Sequence, residues 1–340
     1  MNLEVFYTDP PNKSGDNSPR QENLPITNSV TVVTWSGSVD QAARKAEFSI
    51  AYNTPNKDKS FMPVDVKLGG SVDIYYSDET QTRVQIFSGR VFFRKRNTTQ
   101  FSYDIVAYDE MIYLAKNKIQ KKFSDVTVTD AIKQICVEAG VECGEIPNLA
   151  SKFNYIADGK TCPEVLKKLS ETNVASGGKA LTAYCNLGKV MVVEKGSNVI
   201  EGYIASDSIN VDHTEHSESI ENMVNKVVSV DKAGNIVQTY QNDEEVTKFG
   251  QLQDVYKVRP AKKGETVDNA AEAKAKLKSI ESNSSLEGLG NVQCITGYTI
   301  TIQEEQLQGN FFIKSDTHKF ANNIHTMTLS LEYMEEEGNA

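Results

Sequence analysis

Residues 217–258 read SESIENMVNKVVSVDKAGNIVQTYQNDEEVTKFGQLQDVYKV, and the pattern within them predicts a β-ribbon. Residues 224–230 and 236–240 are rich in β-branched residues, and a run of turn-forming residues, 231–235, joins them. Nothing in this stretch has the spacing of a catalytic motif. It therefore indicates strand pairing and contact with neighbours rather than chemistry.

Composition and charge limit the classes of protein to which the chain can belong. It has 340 residues, 39% of them hydrophobic and 24% charged, which predicts two to three globular domains with a substantial core. No run approaches the roughly 18 apolar residues of a membrane helix, so we expect no membrane insertion. Residues 1–7 lack the features of a secretory signal, which predicts synthesis in a cytosol. The net charge of −10 disfavours specific binding to nucleic acid.

The period of the apolar positions changes twice along the chain and predicts three regions. Residues 1–116 contain short runs rich in β-branched and aromatic residues, typical of an N-terminal β-barrel domain. Residues 117–202 change to a helical period and predict a small α/β domain. Residues 203–340 return to the β pattern and predict a C-terminal β-barrel domain with one helix at about residues 267–282. The predicted fold class is mainly β (α+β).

The helices of the middle region have local start and stop signals. Gly140 follows an apolar i, i+3, i+4, i+7 series and is placed to end the first helix. Thr161 and Glu164 have the spacing of a capping box at the start of the second helix, with Pro163 in its first turn. We therefore expect two short amphipathic helices.

Two pairs of histidines are the main candidates for chemistry. His213 and His216 lie among the carboxylates of residues 212–218 and could bind a divalent cation, but on a strand or loop their rings point in different directions. His318 and His325 flank the predicted tip of the final hairpin, Asn322-Asn323, and are expected at the surface rather than as general bases.

Other catalytic signatures are missing from the sequence. It contains no G-x-S-x-G elbow and no phosphate-binding loop, and its five cysteines follow neither a zinc-binding nor a disulfide-scaffold spacing. The basic run at residues 94–96 ends a predicted strand and is expected to be solvated rather than to bind phosphate. We therefore predict no catalytic residue, no metal and no cofactor.

Three blocks of sequence together resemble a known family. They are TWSGSVDQAARKAEFSIA at residues 34–51, SIENMVNKVVSVDKAGNIV with FGQLQDVY between residues 219 and 256, and NFFIKSDTHKFANNIHTMTLSLEY at residues 310–333. The chain resembles the XkdQ-type baseplate hub proteins of contractile-tailed phages, defective prophages and phage-tail-like bacteriocins. The resemblance covers nearly the whole chain, and it rests on similarity rather than on a catalytic signature.

The resemblance implies a structural role in a trimeric hub. Two barrel-like domains per subunit would alternate around a pseudo-sixfold ring, and the ribbon of residues 217–258 would open the second barrel. The implied partners are two further copies of the chain, the tail tube protein, the central spike protein, and baseplate wedge or LysM-type tail proteins. The implied location is a phage or tailocin particle that is assembled in the bacterial cytoplasm.

Two other functions stay open at this point. One is an enzyme that degrades the cell wall during penetration, and the other is a glycan-binding module that uses the aromatic side chains of residues 71–77 as a stacking platform. For assembly, the predicted interface residues are Trp35, Arg44, Asn235 and Phe249. Trp35 has a core position as its alternative.

Overall fold

The computed structural model describes residues 2–14, 17–51, 64–79, 82–260, 267–305 and 307–334. Strands dominate, so the predicted mainly β fold class is confirmed. The chain forms two compact units: a larger unit, Met1–Thr214 with Ser285–Ala340, and a smaller unit, Glu215–Ser284. Within the described residues, no helix combines the length and the apolar character that crossing a bilayer requires.

The first region of the larger unit is built from antiparallel strands. Alternation explains them: in the first strand Leu3, Val5 and Tyr7 are buried, and the residues between them are more exposed. The strands are β1 (Asn2–Thr8), β2 (Leu24–Pro25), β3 (Val30–Ser38), β4 (Gln41–Ala51), β5 (Ser71–Ser77), β6 (Val84–Asn97) and β7 (Ser102–Tyr108). The basic residues 94–96 are exposed in the last part of β6, as the alternation predicted.

The middle region combines helices with short sheets around its own core. Its elements are α1 (Met111–Lys116), β8 (Lys118–Thr127), α2 (Val128–Ala139), β9 (Glu142–Cys143), β10 (Lys152–Thr161), α3 (Cys162–Ala175), β11 (Leu181–Asn186) and β12 (Lys189–Glu194). Gly140 ends α2 with a left-handed φ of 69°, and Thr161 and Glu164 form the predicted capping box of α3. Both predicted helices are therefore confirmed.

The smaller unit contains the ribbon of residues 217–258. After β13 (Val199–Ala205) the chain enters this unit along β14 (Val211–Ser219). The elements that follow are β15 (Lys226–Val230), β16 (Ile236–Gln241), α4 (Asp243–Phe249), β17 (Gln253–Lys257) and α5 (Asn269–Lys274). The predicted hairpin forms as β15 and β16, but with β17 it makes a separate three-stranded sheet instead of opening a larger C-terminal sheet.

The helix predicted at about residues 267–282 is wrong in its length. Helix α5 ends at Lys274, and residues 275–280 are not helical. The physical reason is a β-bridge, because the N–H groups of Val224 and Lys278 each donate to the other residue's carbonyl at 2.9 Å. The backbone of Lys278 is therefore unable to take part in a helix, and the next strand begins at Glu281.

The last four strands return to the larger unit and complete its main sheet. They are β18 (Glu281–Leu289), β19 (Thr299–Gln303), β20 (Gln308–Ala321) and β21 (Ile324–Met334). The sheet has thirteen strands in the order β14-β18-β21-β20-β3-β4-β7-β6-β5-β1-β2, with β19 pairing β20 and β13 pairing β19. The N-terminal and C-terminal β regions, predicted as two barrel-like domains, thus share one continuous sheet through the pairing of β3 with β20.

The described residues of the larger unit form three separate hydrophobic clusters, one each for the N-terminal strands, the middle region and the C-terminal strands. The predicted domain boundaries at residues 116 and 202 stay a prediction. All five cysteines are free thiols, and Cys143 alone among them is not fully buried.

Candidate functional site

The pairing of β3 with β20 brings a group of polar and aromatic side chains into the interior of the larger unit. Antiparallel register places Trp35 opposite His318 and Gly37 opposite Asp316. Together with Arg44 from β4 and His325 from β21 they form what we call the junction cluster, consisting of Trp35, Arg44, Asp316, His318 and His325. Each of these five side chains is buried.

An ion pair connects the N-terminal and C-terminal strands within this cluster. The Arg44 guanidinium donates two hydrogen bonds to the Asp316 carboxylate, at 2.7 and 2.6 Å, across 272 residues of sequence. The backbone N–H and the hydroxyl of Thr296 also donate to Asp316, at 2.6 and 2.7 Å. Gly37 leaves the necessary space, because a Cβ there would lie 2.5 Å from Arg44 Nη1. A buried pair with this many hydrogen bonds fixes the register of the strands.

The charges around Arg44 explain the protonation states of the two nearby carboxyl groups. Burial alone would raise the pKa of Asp316, but the charge and hydrogen bonds of Arg44 outweigh it and lower that pKa below its ordinary value. At Asp109 burial is the largest effect, and it raises the pKa to about 7 despite the Arg44 charge and the hydrogen bonds from backbone N–H groups. The N–H of Met111 donates to Oδ1 of Asp109 at 3.1 Å, whereas Oδ2 is buried and has no hydrogen-bond partner among the described residues. Arg44 therefore has one firmly ionised partner.

The two histidines of the cluster form a direct hydrogen bond whose direction can be deduced. His318 Nε2 lies 3.0 Å from the carbonyl oxygen of Cys294, so this nitrogen carries a proton and donates. In the neutral ring, Nδ1 of His318 is then an acceptor, and it lies 3.0 Å from Nε2 of His325. His325 must donate from Nε2, which leaves its Nδ1 as a bare lone pair. That nitrogen is indeed buried with no described partner.

Both histidines are held in the neutral form. Burial lowers the pKa of His318 to about 4 and that of His325 to about 3, and the neighbouring positive charge of Arg44 contributes at His318. Trp35 stacks on the His318 ring, with centroids 5.0 Å apart and planes inclined by 6°. A proton added to His318 Nδ1 would face the N–H of His325. The hydrogen bond between the two rings therefore requires both of them to be neutral.

The surface position predicted for His318 and His325 is wrong. Both side chains are fully buried, although Asn322 and Asn323 form the predicted hairpin tip with φ of 52° and 61°. The prediction relied on the polarity of histidine, whereas the period-two pattern of the strand indicated that His325 is buried. His325 lies two residues before Met327 and continues the buried series of β21.

The predicted assembly-interface residues lie in two different environments. Trp35 and Arg44 belong to the junction cluster and offer almost no surface to a partner in this conformation. Asn235 is exposed in the β15–β16 turn, where its N–H donates to Asp231 at 2.8 Å, and Phe249 is half-buried at the end of α4. The assignment of these four residues to an assembly interface stays a prediction.

The other candidates from the sequence do not form a chemical site in the described part of the chain. His216 Nδ1 lies 2.9 Å from the hydroxyl of Ser284, and the described residues contain no group of three potential metal ligands. The aromatic platform of residues 71–77 is largely covered. Tyr76 is buried, and the Arg83 guanidinium lies 3.6 Å from the centre of the Tyr75 ring.

Comparisons by sequence and by fold identify proteins that are similar to this chain. Two proteins of Bacillus subtilis strain 168, YqbQ and the phage-like element PBSX protein XkdQ, are each 28% identical over 267 residues, which cover 73% of this chain and 77% and 78% of theirs. The 43 kDa tail protein of prophage MuSo2 from Shewanella oneidensis shares the fold, with a TM-score of 0.70 and 13% identity over 97% of this chain and 98% of that one.

The family model described as YqbQ-like matches residues 33–332, a span that contains the complete junction cluster. The family resemblance predicted from the three sequence blocks is thereby confirmed, and the chain belongs to the YqbQ-like family.

Proposed function

We propose that the chain is a structural baseplate hub protein of a contractile phage tail or a phage-tail-like bacteriocin. The observation that carries the proposal is the family match over residues 33–332. A second comparison supports it, because a relative that is 28% identical is named as a protein of a phage-like element. The shared fold with a prophage tail protein supports the same role. In this proposal the protein acts by shape and contacts, not by catalysis.

The proposed assembly is a ring of three copies between the tail tube and the central spike. Each copy supplies two β regions, so three copies present six similar positions to the tube while keeping a true threefold for the spike. Such a subunit must keep its two β regions in a fixed relation. The continuous sheet and the buried Arg44–Asp316 ion pair supply that rigidity.

Further partners in the proposal are the tail tube protein, the central spike protein, and baseplate wedge or LysM-type tail proteins. The particle would be assembled in the bacterial cytoplasm, and the isolated chain would be monomeric because its ring contacts need the spike or tube. Asn235 and Phe249 are the proposed contact residues that have surface available for a partner.

Co-expression with a tail tube protein and a central spike protein from the same phage or bacteriocin tests the proposal. We expect electron microscopy to show a threefold complex with three copies of the chain, and light scattering to show a monomer when the chain is expressed alone. A particle that assembles fully without the chain would refute the hub role. Deletion of the spike gene is the matched control, because it removes the threefold template and leaves the chain intact.

The competing function, a cell-wall-degrading or glycan-binding tail protein, has less support. The aromatic side chains proposed as a glycan platform are covered by Arg83 or buried. Incubation of the purified chain with peptidoglycan provides the test, and we expect no released fragments by mass spectrometry. Release that depends on the folded chain would favour the competing function.

A further inference from the structure

The three-stranded sheet of the smaller unit has two edges that differ in their protection. Its order is β16-β15-β17, so β16 and β17 each have one side that faces away from β15. An unpaired strand edge exposes a row of N–H and C=O groups that can pair with another strand, and proteins usually block such edges with charges or side chains.

The centre of the outer edge of β17 is blocked by side chains. Lys226 N–H donates to Leu252 O and Val258 N–H donates to Val230 O, so the alternation of a parallel pair leaves Val255 facing outwards. The N–H of Val255 donates to Asp254 Oδ1 at 2.7 Å.

Lys276 completes the blocked edge. Its Nζ donates to Asp254 Oδ2 at 2.7 Å and contacts the carbonyl oxygen of Val255 at 3.4 Å. Both outward backbone groups of Val255 are therefore occupied, and two charges lie beside them. A further strand would have to displace this ion pair before it could join the sheet on this side.

The outer edge of β16 is open. The N–H of Asn242 donates to Asn225 O at 2.9 Å, so the alternation of an antiparallel pair turns Gln238 and Tyr240 towards β15 and leaves Thr239 and Gln241 facing outwards. No described residue makes a hydrogen bond with the outward backbone groups of Thr239 or Gln241.

The sequence of β16 adds no protection. It reads IVQTYQ, without a charge or a proline, and the side chains of Ile236 and Val237 are 68% and 57% exposed. Val237 lies at a bulge, after which the ladder with β15 is regular up to Gln241. The centre of one edge of this small sheet is thus blocked by an ion pair. On the other edge, the outward backbone groups have no hydrogen-bond partner among the described residues, and apolar side chains are exposed.

We propose that the outer edge of β16 binds an extended, uncharged segment of a different protein of the tail, which adds a fourth strand to the sheet. Backbone hydrogen bonds to Thr239 and Gln241 would hold the segment, and apolar side chains of the segment would cover Ile236 and Val237. The choice of a different protein rests on the proposed function. A contact between the β16 strands of two copies needs a twofold axis, and three copies in a ring cannot all pair in that way.

Hydrogen exchange in assembled particles tests the proposal directly. In the isolated chain we expect the amides of Thr239 and Gln241 to exchange fast, and those of Gln238 and Tyr240 to exchange slowly. In the particle the two outward amides should slow at least about tenfold while the inward amides stay the same. Outward amides that exchange equally fast in both states overturn the proposal. Absence of the wild-type chain from particles would instead refute the hub function itself.

Substitutions at the edge provide a second test. Thr239→Pro removes an outward N–H without taking a bond from the β15 ladder, and Thr239→Ala is the control because it keeps the N–H. We expect the proline variant to enter particles at least about tenfold less than wild type, and the alanine variant to enter normally. Normal entry of the proline variant would contradict the proposal.

Val237→Lys tests the same edge if the proline variant fails to fold. The new charge is placed on an exposed side chain, and it should reduce entry into particles in the same way. Light scattering of the isolated wild-type chain tests the choice of partner. A dimer at micromolar concentration that Thr239→Pro abolishes would show self-pairing and overturn the assignment to a different protein.

Discussion

At the scale of single residues, the junction cluster depends on matched partners more than on any one side chain. Arg44 and Asp316 are both buried, so each needs the other to offset the loss of its hydration. Gly37 and Gly290 belong to the same arrangement, because a Cβ on Gly290 would lie 2.2 Å from the His325 ring. The cluster therefore also requires glycine at these two positions, because any side chain there would clash with a member of the cluster.

Removal of one member of the ion pair should be costly. We expect Asp316→Ala to lower the free energy of unfolding by about 3–5 kcal/mol, since it leaves Arg44 charged and buried without its partner. The double variant Arg44→Met with Asp316→Leu is the control. It should recover part of that loss and stay about 1–3 kcal/mol less stable than wild type, because the Thr296 donors remain unpaired. Urea unfolding measures both, and equal losses in the two variants would contradict the argument.

The histidine pair makes stability depend on acid. The folded-state pKa values of about 4 and about 3 lie below the ordinary 6.5, so around pH 5 the unfolded chain binds about two protons more than the folded chain. Asp109, with its pKa raised from 3.8 to about 7, binds one proton more in the folded chain at the same pH. The two contributions together leave the unfolded chain with a net excess of one bound proton. The free energy of unfolding therefore falls by about 1.4 kcal/mol for each unit of falling pH.

Two variants separate these contributions in a series of urea titrations. Asp109→Asn removes the opposing group, so the loss should become about twice as steep, near 2.7 kcal/mol per pH unit. His325→Gln removes one titrating ring while its amide can still donate to His318, and it should make the dependence nearly flat. A slope that is the same in all three proteins would show that these groups do not control the acid response.

At the scale of elements, the final hairpin shows which local signals are sufficient. The Asn322-Asn323 turn between β20 and β21 was predicted from sequence because asparagine tolerates the positive φ that a two-residue hairpin turn requires. The capping box of α3 was predicted for a similar reason, since Thr161 and Glu164 bond within one turn of helix. Turns and caps that depend on residues close together in the chain can therefore be predicted from the sequence.

The turn gives a direct prediction for stability. Asn323→Val should lower the free energy of unfolding by about 1–2 kcal/mol, because a β-branched residue is strained at φ 61°. Asn323→Gly is the matched control and should change stability by a few tenths of a kcal/mol at most. Thermal unfolding followed by circular dichroism compares the two, and equal Tm values would contradict the assigned turn geometry.

Helix α5 shows where the same local reading fails. The apolar spacing of residues 267–282 fits a helix, yet the backbone of Lys278 pairs with Val224, more than fifty positions earlier in the chain. The pairing of β3 with β20 is also long-range and follows from no local pattern. The blocked edge of β17 depends on Lys276 reaching Asp254, which sequence spacing does not reveal either. Contacts between residues that are far apart in the sequence can be identified only from the three-dimensional structure.

At the scale of the whole molecule, the larger unit is predicted to fold without the smaller one. None of its three hydrophobic clusters contains a residue from 215–284, and β14 and β18, which lead into and out of the smaller unit, are neighbours in the main sheet. We expect that replacing residues 215–284 by Asn-Gly leaves a cooperatively folded protein with a Tm within about 5 °C of the full chain. Loss of cooperative unfolding would show that the smaller unit contributes to the larger unit's core.

The buried thiols have a practical consequence for work on such particles. Burial raises the pKa of Cys162 to about 11 and that of Cys185 to about 12, and it shields Cys136 and Cys294 as well. Cys143 alone is partly reachable. A maleimide dye at neutral pH should therefore attach once to the native chain and five times after denaturation, as counted by intact mass. The natural sequence thus offers a single labelling point for fluorescence measurements of assembly, with no engineered cysteine.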